Sequence, residues 1–201
     1  MSTRIFKGTG PDAAIIIHPH PLLGGSNRDH VVTAVAEYLV QKRRCYVVAP
    51  QISFSLLSFG KNEAKEVTRI YKELKSRYNK VYLFGYSWGA SIVSLCHNAD
   101  EYILISPALK LRWLMTGWDN SMERLFNTDK EKSENTRKQT VLLVYGDRDQ
   151  FTSKKTYSDF ISKHRKSAVN SMFKYACIPE ADHFYQNTEP LIKAINEMLS
   201  T

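Results

Sequence analysis

The sequence predicts an α/β protein with a mostly parallel sheet of about six or seven strands, flanked by helices. Short apolar runs, typical of buried strands, alternate with longer segments in which apolar residues recur at helical spacing. Strands and helices that alternate in this way form parallel units with right-handed crossovers. Polar residues that directly follow the strands should therefore gather at one edge of the sheet, where such proteins bind their ligands.

Six segments are predicted strands, and the first five are short apolar runs typical of a buried parallel sheet. They are residues 13–17, 45–49, 81–84, 102–105, 141–145 and 171–178. Residues 3–7 are a further candidate, as a strand at the sheet edge.

Helices are predicted where apolar side chains recur three and four residues apart. The clearest such face consists of Val67, Ile70, Tyr71, Leu74 and Tyr78. Three other segments show the same spacing, at 31–39, 157–164 and 191–199. The last has Thr188 as a candidate cap and Pro190 in its first turn, where proline is tolerated.

The length of 201 residues suits one domain, and no linker divides residues 1–201. Segment 107–139 is longer than a simple connection, and we expect helices near 110–126 followed by a polar surface loop. This segment is the candidate for a small lid-like insertion.

Composition and charge argue against several classes of protein. The net charge of +8 comes from basic residues spread over several segments without a nucleic-acid-binding motif, so we expect no nucleic-acid partner. No apolar run is long enough for a transmembrane helix, and no secretory signal is evident, which favours the cytoplasm. The three cysteines are far apart and are predicted to be free thiols. No zinc-ligand spacing occurs, so we expect neither a metal nor a cofactor.

A serine between two glycines occurs in the sequence GYSWG at residues 85–89, directly after the predicted strand 81–84. A sharp strand-to-helix turn strains the backbone of its central residue, and glycines fit at the crowded flanking positions. Such a turn exposes the serine hydroxyl above the sheet edge, which makes Ser87 a candidate nucleophile. The alternative is an ordinary loop serine between two glycines.

A carboxylate and a histidine follow two later strands, in the order that a Ser-Asp-His set requires. Asp149 is the favoured acid, with Asp147 as the alternative, because both follow strand 141–145. His183 is the favoured base, since it follows strand 171–178, and its neighbour Asp182 is expected to point elsewhere. A serine hydroxyl is a poor nucleophile at neutral pH, so a base must remove its proton. The carboxylate would orient the imidazole and stabilise its protonated form.

An oxyanion hole needs two N–H donors aimed at the developing negative charge. The amide of Trp88 is one candidate, because it directly follows the nucleophile at a helix N-terminus. The second should come from the loop HPHPLLGG at residues 18–25. Its prolines cannot donate, and Leu22 is the favoured donor, with His20 and Leu23 as alternatives. His18 and His20 could instead stiffen this loop through hydrogen bonds to the backbone.

Four sequence elements together resemble the small, capless α/β-hydrolases of the esterase and dienelactone-hydrolase-like kind. They are the HPHPLLGG loop, the GYSWGAS turn, the GDRD turn and the ADHFY segment, and they lie between residues 18 and 184. The resemblance implies an α/β-hydrolase fold without a large cap domain and an open active site. The chain departs from larger relatives because little sequence precedes residue 13.

The predicted function is a serine hydrolase that cleaves a carboxylic ester or thioester of a small or acyl substrate through an acyl-enzyme at Ser87. An acyl-protein thioesterase or a small peptidase is the alternative within this class. A catalytically silent hydrolase fold that only binds a partner is the alternative from another class. The residues expected to contact the substrate are His20, Leu23, Tyr86, Trp113, Trp118 and Phe184. For Trp113 and Trp118, plain core packing is an equally good interpretation.

Overall fold

The computed structural model describes residues 2–96, 99–111, 121–125, 140–165 and 172–200. The strands in these residues are β1 (Thr3–Phe6), β2 (Ala13–Ile17), β3 (Tyr46–Pro50), β4 (Val81–Tyr86), β5 (Glu101–Ile105), β6 (Thr140–Gly146) and β7 (Met172–Ile178). The helices are α1 (His30–Arg43), α2 (Lys61–Lys75), α3 (Trp88–Ser94), α4 (Ser121–Arg124), α5 (Lys154–Arg165) and α6 (Glu189–Ser200). Two short 3₁₀ turns occur at Pro21–Leu23 and Leu56–Ser58.

The strands form one seven-stranded sheet in the order β1-β3-β2-β4-β5-β6-β7. Only β1 is antiparallel to its neighbour, as the expected edge strand. The chain moves outward from β2 to β3, crosses back over β2 to β4, and then proceeds in the other direction. This reversal places a crevice at the carboxyl ends of β2 and β4, the usual position of a ligand site in such a sheet.

Helices cover both faces of the sheet because alternate strand residues point to opposite sides. On β2, Ile15 and Ile17 pack with residues of α2, α3 and α5, whereas Ala14 and Ile16 pack with residues of α1 and α6. Every residue of β2 is buried, which explains why this strand is a continuous apolar run.

One expectation about a helix differs from the structure. Tyr78 continues the apolar spacing of α2, but the helix ends at Lys75, and Tyr78 stacks on Tyr46 of β3 with ring centroids 5.4 Å apart. Helices were also expected near 110–126, where residues 112–120 and 126 lie outside the described residues and the four-residue α4 occupies part of the remainder. The positions of Trp113 and Trp118 lie outside the described residues.

The three cysteines are free, as predicted, and Cys45 and Cys96 are buried. Burial raises the pKa of the Cys45 thiol to about 11, so this group stays protonated and packs as a small apolar side chain. Among the described residues, no helix combines the length and the hydrophobicity that crossing a bilayer requires.

Candidate active site

Ser87 occupies the sharp turn between β4 and α3. Its backbone has φ 56° and ψ −117°, a conformation that L-residues rarely adopt. The flanking glycines have a direct physical cause. A Cβ atom on Gly85 would collide with the carbonyl of Gly89, and one on Gly89 would collide with the carbonyl of Ile17. The backbone at residues 85 and 89 therefore packs too closely for any side chain.

The structure brings Ser87, His183 and Asp149 together at the carboxyl edge of the sheet. Nε2 of His183 lies 2.9 Å from Oγ of Ser87, and Nδ1 lies 2.9 Å from Oδ2 of Asp149. All three residues are buried, with only 8% of Ser87 exposed. Because a carboxylate accepts, Nδ1 of His183 carries a hydrogen and donates to Asp149. In the neutral ring Nε2 is then the acceptor that faces the serine hydroxyl.

Asp149 accepts hydrogen bonds on both carboxylate oxygens. Oδ1 receives the amides of Phe151 at 2.8 Å and Thr152 at 3.0 Å, and Oδ2 lies 3.2 Å from the hydroxyl of Tyr157. Burial by itself would raise the pKa of Asp149. The hydrogen bond and charge of His183 and the amides of Thr152 and Phe151 outweigh burial, so this pKa lies below its ordinary value. The ionised form that the pair needs is thus favoured.

The two rival carboxylates have other partners. Oδ1 of Asp147 accepts the amide of Glu180 at 2.7 Å, and Oδ2 lies 3.6 Å from Nζ of Lys154. Oδ1 of Asp182 accepts the amides of Phe184 and Tyr185, which shapes the turn after the histidine. Both carboxylates therefore stabilise turns and do not contact the ring of His183.

Of the amides expected to form the oxyanion hole, some already donate hydrogen bonds within the protein and others do not. The Trp88 amide opens α3 and makes no hydrogen bond within the described residues. The Leu22 amide, favoured from the sequence, donates to Nδ1 of His20 at 3.2 Å, and the Leu23 amide donates to the carbonyl of His20 at 3.0 Å. The amide of His20 itself has no partner in the part of the chain that the structure describes. The amides of Leu22 and Leu23 are therefore already hydrogen-bonded within the 3₁₀ turn at 21–23. Residue types alone do not predict these bonds.

His18 stiffens the loop after β2, in agreement with the alternative role considered for it. Its Nε2 accepts the amide of Ile52 at 3.0 Å, so Nδ1 carries the hydrogen and donates to the carbonyl of Pro19 at 2.6 Å. Burial lowers the pKa of His18, and its hydrogen bond to Pro19 only partly opposes this. His18 thus links the loops after β2 and β3 as a neutral side chain.

The surroundings of the serine contain aromatic groups, but not all of the expected ones. Tyr86 is 2% exposed and packs into the core on the face covered by α1 and α6, so it does not line an open pocket. Phe184 is 46% exposed, and its ring centroid lies 5.7 Å from that of His183. Leu22 and Leu23 are also well exposed on their turn.

Sequence reasoning missed two aromatic neighbours of the site. The ring of Phe151 lies 4.5 Å from that of His183, and the ring of Phe54 lies 4.4 Å from that of His20. Both occur in loops that follow strands, β6 and β3 respectively. Their positions just after predicted strands could have indicated that they lie near the site. No group of three or more histidine, cysteine, aspartate or glutamate side chains in the described ranges could hold a metal ion.

Comparison with solved structures shows that the chain has the α/β-hydrolase fold. An α/β serine hydrolase homologue from Coxiella burnetii superposes with a TM-score of 0.71 and 19% identity over 98% of this chain and 88% of its own. An α/β serine hydrolase without lid from Xanthomonas campestris gives a TM-score of 0.70 and 18% identity over 98% of this chain and 87% of its own. The predicted fold, including its resemblance to small α/β-hydrolases, is confirmed at the level of architecture.

A relative in sequence is an uncharacterized protein of Schizosaccharomyces pombe. The two are 28% identical over 173 residues, which cover 80% of this chain and 73% of the yeast protein. No protein-family model matches the chain.

Proposed function

We propose that the protein is a serine hydrolase that cleaves a carboxylic ester or thioester through an acyl-enzyme on Ser87. The observation that carries this proposal is the continuous hydrogen-bonded chain from Oγ of Ser87 through His183 to Asp149. Its nucleophile follows β4, one of the two strands between which the strand order reverses, and ligands of such sheets bind at this point.

In the first half-reaction, Nε2 of His183 takes the hydroxyl proton while Oγ of Ser87 attacks the carbonyl carbon. The carbonyl oxygen becomes an oxyanion, which the amides of Trp88 and His20 stabilise by hydrogen bonding. The tetrahedral intermediate then expels the alcohol or thiol, to which His183 returns the proton. The product of this step is an ester between the acyl group and Ser87.

In the second half-reaction, His183 removes a proton from a water molecule that attacks the acyl carbon. The second tetrahedral intermediate expels Oγ of Ser87, which regains a proton from His183 and leaves the free acid. In both halves, Asp149 keeps the imidazole in the tautomer with Nδ1 protonated and stabilises the imidazolium. The low pKa of Asp149 suits this role because the carboxylate stays ionised.

Apolar side chains near the site favour an acyl or aryl group as the part of the substrate that is bound. Leu22 and Leu23 project from the turn after β2, and Phe184 and Phe151 lie beside the ring of His183. Covering the exposed leucine and phenylalanine side chains with an apolar group removes apolar surface from water, which lowers the free energy of the complex. A short- to medium-chain ester suits these apolar side chains. Segment 107–139 is the proposed lid-like insertion.

A binding module that has lost catalysis is the competing function. A binding module does not need the side chains of Ser87, His183 and Asp149 to be hydrogen-bonded to one another, as they are in this protein. Within the enzyme class, an acyl-protein thioesterase and a small peptidase use the same chemistry with other leaving groups.

A panel of acyl esters, thioesters and peptide amides of varied chain length, run on wild type and Ser87→Ala, tests the proposal. We expect hydrolysis of at least one ester or thioester series by wild type, reduced by several orders of magnitude in Ser87→Ala. An unchanged melting temperature shows that the variant is folded. Turnover that survives in Ser87→Ala contradicts the role of Ser87, and inactivity of the wild type on every substrate favours the binding module.

A further inference from the structure

Both polar groups of the His183 backbone are bound by side chains. The hydroxyl of Tyr86 donates to the carbonyl oxygen of His183 at 2.7 Å, and the amide of His183 donates to Oε1 of Gln150 at 3.0 Å. Regular secondary structure usually satisfies such groups through other backbone groups. Here the residue that would act as base is held by side chains from two other segments.

The two side chains stand next to the other members of the candidate triad. Tyr86 directly precedes Ser87, and Gln150 directly follows Asp149. The ring of His183 contacts Ser87 and Asp149, while its backbone contacts their chain neighbours. One hydrogen bond and one peptide link therefore connect the main chain of His183 to the nucleophile through Tyr86, and an equivalent pair connects it to the acid through Gln150.

We propose that Tyr86 and Gln150 are positioning residues that hold the main chain of His183 at the distance required for proton transfer. This inference rests on the proposed hydrolase function. His183 lies in the irregular turn between β7 and α6, where Glu180 and Tyr185 have positive φ angles of 62° and 48°. Such a segment lacks a hydrogen-bond ladder of its own, and a displacement of about 1 Å in a reacting group can cost about 100-fold in rate.

Packing alone does not explain the hydroxyl of Tyr86. Its ring is 2% exposed among apolar side chains, where phenylalanine would pack equally well. Burial raises the pKa of Tyr86, so the hydroxyl keeps its proton and can donate. Nε2 of His30 contacts the carbonyls of Phe184 and Tyr185 at 2.9 and 3.1 Å, which anchors the same turn but not His183 itself.

Tyr86→Phe tests the hydroxyl, with Tyr102→Phe as a matched control. Tyr102 is equally buried and also donates to a main-chain carbonyl, that of Cys96 at 2.6 Å, at the opposite end of the sheet. We expect Tyr86→Phe to lower kcat about tenfold or more with KM within about twofold, because the base shifts while substrate contacts remain. Tyr102→Phe should reduce the melting temperature at least as much, because its hydroxyl also accepts the amide of Ala99 at 3.1 Å, and should leave kcat unchanged.

Gln150 offers an independent test because it is exposed and its replacement should not prevent folding. Gln150→Met removes the acceptor for the His183 amide and should lower kcat, whereas Gln150→Glu restores an acceptor oxygen. We expect kcat of Gln150→Glu to lie between the values of wild type and Gln150→Met. Equal losses in Gln150→Met and Gln150→Glu would remove Gln150 from the proposal.

A readout without turnover separates this inference from the proposed function. The Nδ1 proton that His183 shares with Asp149 should give a low-field proton NMR signal in wild type and in Tyr102→Phe. In Tyr86→Phe it should shift and broaden as the ring loses its fixed position. If the wild type shows this signal but hydrolyses no substrate and does not react with a fluorophosphonate, the hydrolase function is refuted. A shifted and broadened signal in Tyr86→Phe would still support the positioning role. A Tyr86→Phe variant with wild-type kcat and an unchanged signal overturns the positioning role.

Discussion

The ring of His183 and the carboxylate of Asp149 form a hydrogen bond of 2.9 Å between side chains that are 4% and 0% exposed. The partners are 34 residues apart in sequence, in the turns that follow β7 and β6. Parallel strands β6 and β7 are neighbours in the sheet, so both turns emerge at the same edge. A pair shielded from water in this way keeps its orientation and interacts more strongly than an exposed pair.

Replacement of Asp149 by asparagine should lower kcat by about 10³- to 10⁴-fold, because an amide N–H facing Nδ1 favours the wrong tautomer of His183. The control is Asp147→Asn, which changes a turn carboxylate bonded to Glu180 and should leave kcat within about threefold. Steady-state kinetics on both variants decide the assignment. The reverse pattern, with Asp147→Asn inactive and Asp149→Asn active, would exchange their roles.

The buried His18 predicts a loss of stability on acidification. Its pKa in the folded protein lies below the value of 6.5 for an unfolded chain. Between these two values the unfolded chain binds a proton that the folded protein does not, so the free energy of unfolding falls as the pH falls. Above pH 6.5 the stabilisation is complete.

Chemical denaturation across this pH range, with wild type and His18→Gln, measures the effect. The glutamine can still accept the Ile52 amide but does not titrate, so its stability should depend less steeply on pH. Equal slopes in the two proteins would show that His18 does not take up the proton in this range.

The strands and the order of the candidate triad could be predicted because they depend on local patterns. Buried parallel strands are continuous apolar runs, and parallel topology sends their carboxyl ends to one edge. The end of α2 was less predictable, since Tyr78 continues the apolar face but contacts Tyr46 from beyond the helix. A side chain can fill an apolar position without belonging to the helix that the spacing suggests.

Contacts between side chains that are far apart in the sequence could not be predicted from its patterns. Nothing in the GYSWG pattern shows that Tyr86 packs on the sheet face covered by α1 and α6 and binds the carbonyl of His183. The preference for Leu22 as an oxyanion donor also did not include the hydrogen bond from its amide to Nδ1 of His20, which caps the 3₁₀ turn. Such details arise from packing between segments that are far apart in the sequence.

The glycine at position 85 should be essential for stability. Gly85→Ala places a methyl group within the contact distance of the backbone of Gly89 and Ala90, and overpacking against backbone should cost about 3 kcal/mol or more. Gly24→Ala is the comparison, because its Cβ would meet nothing within 4 Å and only the positive φ of 85° opposes it. We expect Gly24→Ala to cost about 1 kcal/mol. Denaturant titrations that give equal losses would refute the close approach at the elbow.

The proposed oxyanion donor at His20 can be tested by removing its N–H. His20 has φ −61°, the value that proline prefers, so His20→Pro should fit the backbone. The control is His20→Ala, which also lacks the imidazole but keeps the amide. We expect kcat of His20→Pro to be about 10²- to 10³-fold below that of His20→Ala. Equal activity of the two variants would show that another N–H group is the second oxyanion donor.

The role of Ser87 as nucleophile is tested most directly by covalent labelling with a fluorophosphonate, followed by peptide mass spectrometry. Labelling should occur on Ser87 of the folded wild type, disappear in Ser87→Ala, and slow markedly in Asp149→Asn. Denaturation before the reagent is added should abolish it, because the hydrogen-bonded arrangement of Ser87 and His183 is then lost. A folded wild type in which Ser87 is never modified, or in which another serine is labelled instead, would contradict the proposed mechanism.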